Sequence, residues 1–231
     1  MANLVQLRIL EELDGLVLVD KPEGIAFSTV VKTVKRKFNL VKLGHGGSLD
    51  ASASGLFVLL LNGANRYVDR IMGADREYEG TLLFGETTDT GDRNGRSVPL
   101  PPRTLALGEA RGDMFQTEPR FCAVRREGSA GYEIADTGEH QQFLAHIYRF
   151  EVEGGASAAE RPGVPARFTL RASRNLLPRA LAQDLGATLV SLRRTKVGVL
   201  DVADAVPFDR LLDTAICDFP SCVTPISKAL Q

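Results

Sequence analysis

Lys42-Leu43-Gly44-His45-Gly46-Gly47-Ser48-Leu49-Asp50-Ala51-Ser52-Ala53-Ser54-Gly55 is a polar, glycine-rich stretch that lies between two apolar segments. It carries one histidine and one carboxylate. Its glycines allow the backbone to adopt a positive φ or to approach a ligand closely. A loop of this composition is either a structural turn or a functional site, and the stretch alone leaves both interpretations open.

The composition is that of a globular protein with a full core. The chain has 231 residues, of which 44% are hydrophobic and 25% charged, so it is long enough for one large domain or a domain with an insertion. Residues 1–13 contain Arg8, Glu11 and Glu12 and no long apolar run, so we expect neither a signal peptide nor an anchor there. The longest apolar run, 56–61, is too short to cross a bilayer, and we expect no membrane partner.

The cysteines indicate a reducing compartment inside the cell, which includes the cytoplasm and an organelle matrix. There are three of them, Cys122, Cys217 and Cys222, and they form no Cys-x-x-Cys pair. An odd number without such a pair argues against a disulfide framework and against a zinc site. We therefore predict no metal site and an intracellular location.

Basic residues are distributed unevenly, although the net charge is only -1. They form three groups along the chain: Lys32, Lys35, Arg36, Lys37 and Lys42; Arg120, Arg125 and Arg126; and Arg171, Arg174, Arg179, Arg193, Arg194 and Lys196. Each group alone is compatible with an ordinary solvated face. If the groups converge in space, they form a basic cleft suited to nucleic acid.

The periodicity of apolar residues predicts strands and helices without a regular strand-helix repeat. Strands are predicted at 15–19, 76–84, 143–152 and 167–172, with two more at 189–195 and 197–202, and the apolar run 56–61 is typical of a buried element. Helices are predicted after Ser28 as N-cap and from Pro178 as first residue, which places Arg179 in a first turn. This mixture indicates an α+β or mixed α/β fold.

Several motifs, in order along the chain, resemble those of the TruB family of tRNA pseudouridine synthases. They are Asp20-Lys21-Pro22-Glu23-Gly24, Gly44-His45-Gly46-Gly47-Ser48-Leu49-Asp50, Arg76-Glu77-Tyr78, Thr88-Asp89-Thr90-Gly91-Asp92, Gln116-Thr117-Glu118-Pro119, Arg179-Ala180-Leu181 and Leu192-Arg193-Arg194-Thr195. The resemblance covers about residues 13–215, with a more variable region at about 99–165 that suits an RNA-contacting insertion. It implies one catalytic domain over 1–231, with a mixed, mostly antiparallel sheet flanked by helices and loops, and an active-site cleft across the sheet.

The family resemblance also implies a reaction. Family members isomerise a uridine in RNA to pseudouridine with an aspartate nucleophile and no cofactor, and Asp50 matches that aspartate. A carboxylate acts in this way only when it is ionised and close to the reacting atoms, and Gly46 and Gly47 permit that approach. Arg179 matches an arginine that pairs with the aspartate and keeps it charged.

The substrate pocket is implied by the same motifs. Tyr78 matches a tyrosine that stacks on the target base, and Leu192 matches a leucine of the pocket. Because the uridine lies within a folded RNA loop, it must be flipped out, and an aromatic platform offsets part of the lost stacking. His45 matches a histidine that fills the vacated space, although a structural role for a lone histidine is a real alternative. We expect contacts with the RNA backbone from Lys35, Lys42, Arg125, Arg126 and Arg174.

The chain departs from the family pattern near these residues. Gly46, Ser48 and Ala51 replace the threonine, threonine and proline of the usual Gly-His-Thr-Gly-Thr-Leu-Asp-Pro. Leu177 replaces a tyrosine that contacts the base. No PUA domain, the small RNA-binding domain of bacterial members, is expected after the catalytic domain, so a protein or ribonucleoprotein partner would assist RNA binding.

Two functions therefore follow from the sequence. The first is an RNA pseudouridine synthase that acts on a uridine in an RNA loop. The expected substrate is the T-loop uridine of the tRNA T-arm, and another RNA is the alternative substrate. The alternative is a catalytically weakened relative that binds or folds RNA or assists ribonucleoprotein assembly. Product formation and its dependence on Asp50 distinguish the two functions.

Overall fold

Short helices and strands follow each other in the computed structural model, which describes residue 10 and residues 12–99, 105–117, 123–124, 133–134 and 142–230. The α-helices are α1 (Phe27–Lys37), α2 (Val68–Gly73), α3 (Pro178–Asp184) and α4 (Phe208–Asp213). The strands are β1 (Gly15–Lys21), β2 (Leu43–His45), β3 (Ala53–Leu61), β4 (Arg76–Phe84), β5 (Thr87–Thr88), β6 (Ser97–Val98), β7 (Gly112–Thr117), β8 (Ala123–Val124), β9 (Glu133–Ile134), β10 (Gln142–Val152), β11 (Pro165–Ala172), β12 (Ala187–Val197), β13 (Leu200–Asp201), β14 (Val206–Pro207) and β15 (Val223–Thr224). Short 3₁₀ helices are Asn62–Tyr67, Leu107–Glu109, Gly155–Glu160, Val202–Asp204, Phe219–Cys222 and Ile226–Leu230. No helix in these ranges is long and apolar enough to span a membrane.

The chain divides into two compact units. Unit 1 comprises Met1–Arg76 and Arg193–Gln231, and unit 2 comprises Glu77–Leu192. In unit 1 the strand order is β14-β1-β3-β12, and in unit 2 it is β12-β4-β11-β10-β7. The pairs of β1 with β3, of β10 with β11 and of β10 with β7 are antiparallel, whereas β1 and β14 are parallel.

Strand β3 is the centre of unit 1 because both of its faces are buried. Leu56, Val58 and Leu60 pack in a cluster with residues of β1, α2 and β13. On the other face the ring of Phe57 lies 6.1 Å from that of Phe27 at the start of α1. Burial on both faces explains why the sequence of this strand is an unbroken apolar run. The predicted buried element at 56–61 is confirmed as a strand.

Helix α1 buries one apolar stripe and exposes its cations, as the sequence predicted. Val30 and Val34 are fully buried, whereas Lys32, Lys35 and Arg36 are exposed. The prediction of Ser28 as N-cap is wrong. The helix starts at Phe27. The amides of Thr29 and Val30 in its first turn donate to the backbone carbonyl of Ala26, and no side chain caps the helix.

Strand β4 shows the predicted alternation in unit 2. Tyr78, Leu82 and Phe84 are buried, and Gly80 continues their face. A Cβ on Gly80 would overlap the carbonyl oxygen of Ser191 and the Phe168 ring. The absence of a side chain at this position therefore allows the close packing of β4.

The last two predicted strands are one long strand and a short one. Strand β12 continues through Val197, and the chain turns at Gly198, which has a φ of +56°. Strand β13 then pairs with β12 through Val197 and Leu200. The first of these strands ends later than predicted, because Lys196 still pairs with Asp201 in the ladder between β12 and β13.

Candidate active site

Asp50 lies in unit 1 in the loop that joins β2 to β3. The loop leaves β2 after His45, and the amide of Gly46 donates to the carbonyl of Val58 at 2.8 Å. Asp50 is half-buried and its carbonyl accepts from the amide of Ala53 at 3.1 Å, which closes the loop onto β3. The carboxylate is therefore on a short connection with both ends tied to the central strand.

Lys21, at the end of β1, is fully buried beside this loop. Its Nζ donates to the carbonyls of Pro22 and Ile25, both at 2.8 Å, and to that of Ala51 at 3.5 Å. Burial lowers the pKa of Lys21 from 10.5 to about 8, while the negative charge of Asp50 raises the pKa and the positive charge of Arg194 lowers it. Lys21 thus links the turn after β1 to the residue that follows Asp50.

Arg194, on β12, is the second buried cation of the loop, with an exposed fraction of 2%. Its Nε donates to the carbonyl of Leu56 at 2.8 Å, and its Nη1 donates to that of Ser48 at 2.9 Å. Hydrogen bonds of this kind are what make a buried guanidinium tolerable. The two cations contact backbone on either side of Asp50.

The neighbouring Arg193 forms a separate ion pair in unit 1. Its Nη1 and Nη2 donate to the two carboxylate oxygens of Asp20 at 2.9 and 2.7 Å. Such a bidentate pair fixes the orientation of both groups. The pair thereby joins the end of β1 to β12 next to Lys21 and Arg194.

His45 is part of an aromatic cluster. Its ring centroid lies 5.3 Å from that of Phe27 and 5.8 Å from that of Phe57. The histidine therefore connects α1 and β3 at the start of the Asp50 loop. The proposed role in filling the space of a flipped base stays a prediction.

The space beside Gly46 is filled by another residue. A Cβ at this position would overlap the Cγ2 methyl of Ile71 on α2, and Ile71 is 3% exposed. Gly47 has a φ of +115°, a conformation that favours glycine. The replacement of the family's threonine by Gly46 is thus matched by local packing rather than leaving a gap.

In unit 2, Arg179 occupies the first turn of α3, as predicted. Its Nη1 donates to the carbonyl of Thr90 at 3.1 Å. That carbonyl lies in a loop stabilised by Asp92, whose Oδ1 accepts from the hydroxyl of Thr90 and the amide of Asn94. The Thr-Asp-Thr motif therefore holds the arginine. The pairing of Arg179 with Asp50 stays a prediction.

Leu177 precedes α3 and its backbone is fixed by a buried glutamine. The amide of Leu177 donates to Oε1 of Gln116 at 2.9 Å, and its carbonyl accepts from Nε2 at 3.3 Å. Gln116 is fully buried on β7. The main chain at this position is thus held independently of the side chain that replaces the family's tyrosine.

The two residues predicted to contact the base are both buried in unit 2. Tyr78 on β4 has an exposed fraction of 7%, and Leu192 on β12 has one of 8%. Their strands are neighbours in the order of the sheet. Their roles in base stacking and pocket formation stay predictions.

The basic residues fall into different environments. Lys35, Lys42 and Arg174 are exposed, whereas Arg125 and Arg126 lie outside the described residues. The third group is not one basic face, since Arg194 is buried and Arg193 binds Asp20. In the described part of the chain, no group of three or more His, Cys, Asp or Glu side chains is arranged to hold a metal ion.

Sequence reasoning missed Lys21 and Arg194 as residues of this site. Lys21 belongs to a motif of the resemblance and Arg194 to the third basic group, and the sequence assigned a role in the site to neither. The signal was the period of the strands: Lys21 follows Val17 and Val19 on one face of β1, and Arg194 follows Leu192 on one face of β12.

Comparison with known proteins defines the class. The sequence profile described as "TruB family pseudouridylate synthase (N terminal domain)" matches residues 35–158. The protein is an RNA pseudouridine synthase by class.

Individual proteins of known name show the family to which the chain belongs. It is 32% identical to the tRNA pseudouridine synthase B of Opitutus terrae, over 95% of each chain. It is 34% identical to that of Aquifex aeolicus, over 87% of this chain and 75% of the relative. The chain belongs to the TruB family of pseudouridylate synthases.

A solved structure confirms the fold. A chain of a crystallised Cbf5-Nop10-Gar1 complex is similar with a TM-score of 0.67 and 24% identity, over 96% of this chain. This chain spans 63% of the length of that one. The predicted α+β pseudouridine synthase fold, with a mixed and mostly antiparallel sheet, is confirmed.

Gly46→Ala is expected to destabilise unit 1. The added methyl would overlap Ile71, and overpacking of this kind costs about 1–3 kcal/mol. Urea unfolding measures the change. Gly73→Ala at the end of α2 is the control, because a Cβ there meets no atom within 4 Å. Equal stability of the two variants would contradict the packing described.

Lys21→Met is expected to change the pH dependence of stability. Between pH 8 and 10.5 the unfolded chain binds more protons than the folded one at Lys21, so the free energy of unfolding of the wild type rises with pH. The variant lacks this rise, and the difference between the two, measured by urea unfolding at several pH values, isolates it. Lys32→Met, at an exposed position, is the control. A difference that stays constant over this range would refute the assignment.

Gln116→Leu is expected to destabilise unit 2 by leaving two backbone groups of Leu177 without their partner. Each loss costs about 1–3 kcal/mol. The same substitution at the exposed Gln142 removes no such bond and serves as the control. Thermal unfolding compares the two variants, and an equal loss in both would show that Gln116 has no special role.

Proposed function

We propose that this protein isomerises a uridine to pseudouridine in structured RNA, with the T-loop uridine of tRNA as its substrate and Asp50 as the nucleophile. The observation that carries the proposal is the loop of Asp50. Two buried cations brace its backbone, and a half-buried carboxylate there has positive charge close by. The names of the relatives support tRNA as the substrate.

The reaction requires no cofactor. The bond between ribose C1' and base N1 breaks, a bond between C1' and C5 forms, C5 loses its proton and N1 gains one. The base must turn after the bond to N1 breaks and before the bond to C5 forms. It therefore has to leave its stack and be held outside the RNA helix. The Asp50 carboxylate attacks C1' as the bond to N1 breaks and leaves C1' when C5 bonds to it after the turn; attack on the base would instead add the carboxylate to C6 before the turn and eliminate it afterwards.

Other residues supply binding and orientation in this proposal. Tyr78 stacks on the flipped base, and Leu192 lines its pocket. Arg179, oriented by the carbonyl of Thr90, contributes positive charge beside the reacting groups. The exposed Lys35, Lys42 and Arg174 contact phosphates, so RNA affinity falls as salt rises. RNA is the partner of the proposal, and a protein partner stays a prediction.

Asp50→Ala is expected to abolish isomerisation. The assay uses T-arm RNA labelled with tritium at C5 of uridine, because that hydrogen is lost when the new bond forms. Asp69→Asn, at an exposed carboxylate on α2 in the same unit, is the control and retains activity.

Tritium release by Asp50→Ala at the wild-type rate would overturn the assignment of the nucleophile. Salt-dependent RNA binding without tritium release by the wild type would instead favour the RNA-binding alternative.

A further inference from the structure

Arg194 is a buried guanidinium on β12 whose hydrogen bonds reach the Asp50 loop and β3. A guanidinium with 2% exposure can persist only when hydrogen bonds replace its water. Two of its hydrogen bonds go to backbone carbonyls. The bonds to Ser48 and Leu56 therefore constrain main-chain positions.

Those two carbonyls lie on either side of Asp50 along the chain. Ser48 lies two residues before the aspartate, and Leu56 lies on β3 after the loop has closed. A guanidinium is planar and rigid, so donors on one such group fix the separation of their acceptors. A single side chain thus sets the separation between Ser48 in the loop and Leu56 on β3.

The main chain of Arg194 also packs against β3 just after the loop. Gly55 has a φ of +100°, and a Cβ on it would overlap the Arg194 carbonyl. The backbone of β12 therefore approaches closely where β3 follows the loop. Backbone and side chain of the same residue hold this end of the loop.

Lys21 contacts the loop on the other side of Asp50, at Ala51, but holds it less tightly than Arg194 does. Its bond to the carbonyl of Ala51 is 3.5 Å long, while its bonds to Pro22 and Ile25 are 2.8 Å. Its main attachment is to the turn after β1. The position of the loop is accordingly set by Arg194 more than by Lys21.

We propose that Arg194 is a positioning residue for the isomerisation: its guanidinium fixes the Asp50 loop through Ser48 and Leu56 without contacting the substrate. The proposal rests on the proposed function, since it assigns Asp50 as the group being positioned. A reacting group displaced by about 1 Å costs on the order of 10²-fold in rate.

The test uses Arg194→Lys and Arg194→Gln in the full chain. Lysine keeps the charge without the planar fork, and glutamine keeps a shorter donor without the charge. Single-turnover tritium release at saturating T-arm RNA is expected to fall about 10²-fold in both variants. The Kd for the RNA is expected to stay that of the wild type, because the residue does not contact the substrate.

Phe219→Leu is the matched control for lost stability. Phe219 is fully buried in unit 1, and its ring stacks on Phe38 at 3.9 Å. Its loss should lower Tm while the single-turnover rate, measured well below Tm, is retained. A rate loss in the Arg194 variants beyond that of this control separates positioning from general destabilisation.

A wild-type rate in Arg194→Lys would overturn the proposal. A rate that returns to the wild-type value when the RNA concentration is raised would also overturn it, because the loss would then be one of binding. Failure of both variants to fold would also contradict it, because Arg194 would then serve the fold rather than the site. Activity that survives Asp50→Ala would overturn the proposed function itself. Inactive Asp50→Ala together with fully active Arg194→Lys would refute only the positioning role.

Discussion

The loop of Asp50 depends on buried positive charge. Lys21 and Arg194 have almost no contact with water, and each reaches main-chain carbonyls next to the aspartate. Burying such groups without partners would cost several kcal/mol, so the carbonyls and the cations stabilise one another. The half-buried carboxylate lies within the electrostatic reach of Lys21, which links the fold of unit 1 to the chemistry of its loop.

Glycine and packing act together in this loop. The family pattern has a threonine where this chain has Gly46, and the loss of a hydroxyl predicts a looser backbone. In the structure the methyl of Ile71 fills the position that a side chain would take. Two backbone hydrogen bonds hold the ends of the loop: the amide of Gly46 donates to the carbonyl of Val58, and the amide of Ala53 donates to the carbonyl of Asp50. The departure is therefore compensated by a neighbour on α2.

The sequence predicted the strands and the family better than the contacts that hold the Asp50 loop. The apolar run of β3 and the alternation of β4 decide their burial, so both strands could be recognised. The assignment of Ser28 as N-cap is wrong because the first amides of α1 donate to the backbone carbonyl of Ala26 and not to a side chain. Lys21 and Arg194 were missed because charge suggests solvent, whereas their partners come from distant parts of the chain.

The central claim is that this protein forms pseudouridine in RNA through Asp50. The most direct measurement is a map of pseudouridine in the RNA of cells with the gene, without it, and with Asp50→Ala in its place. The account predicts a T-loop pseudouridine of tRNA that is present only with the wild-type gene. An unchanged map in all three strains would contradict it.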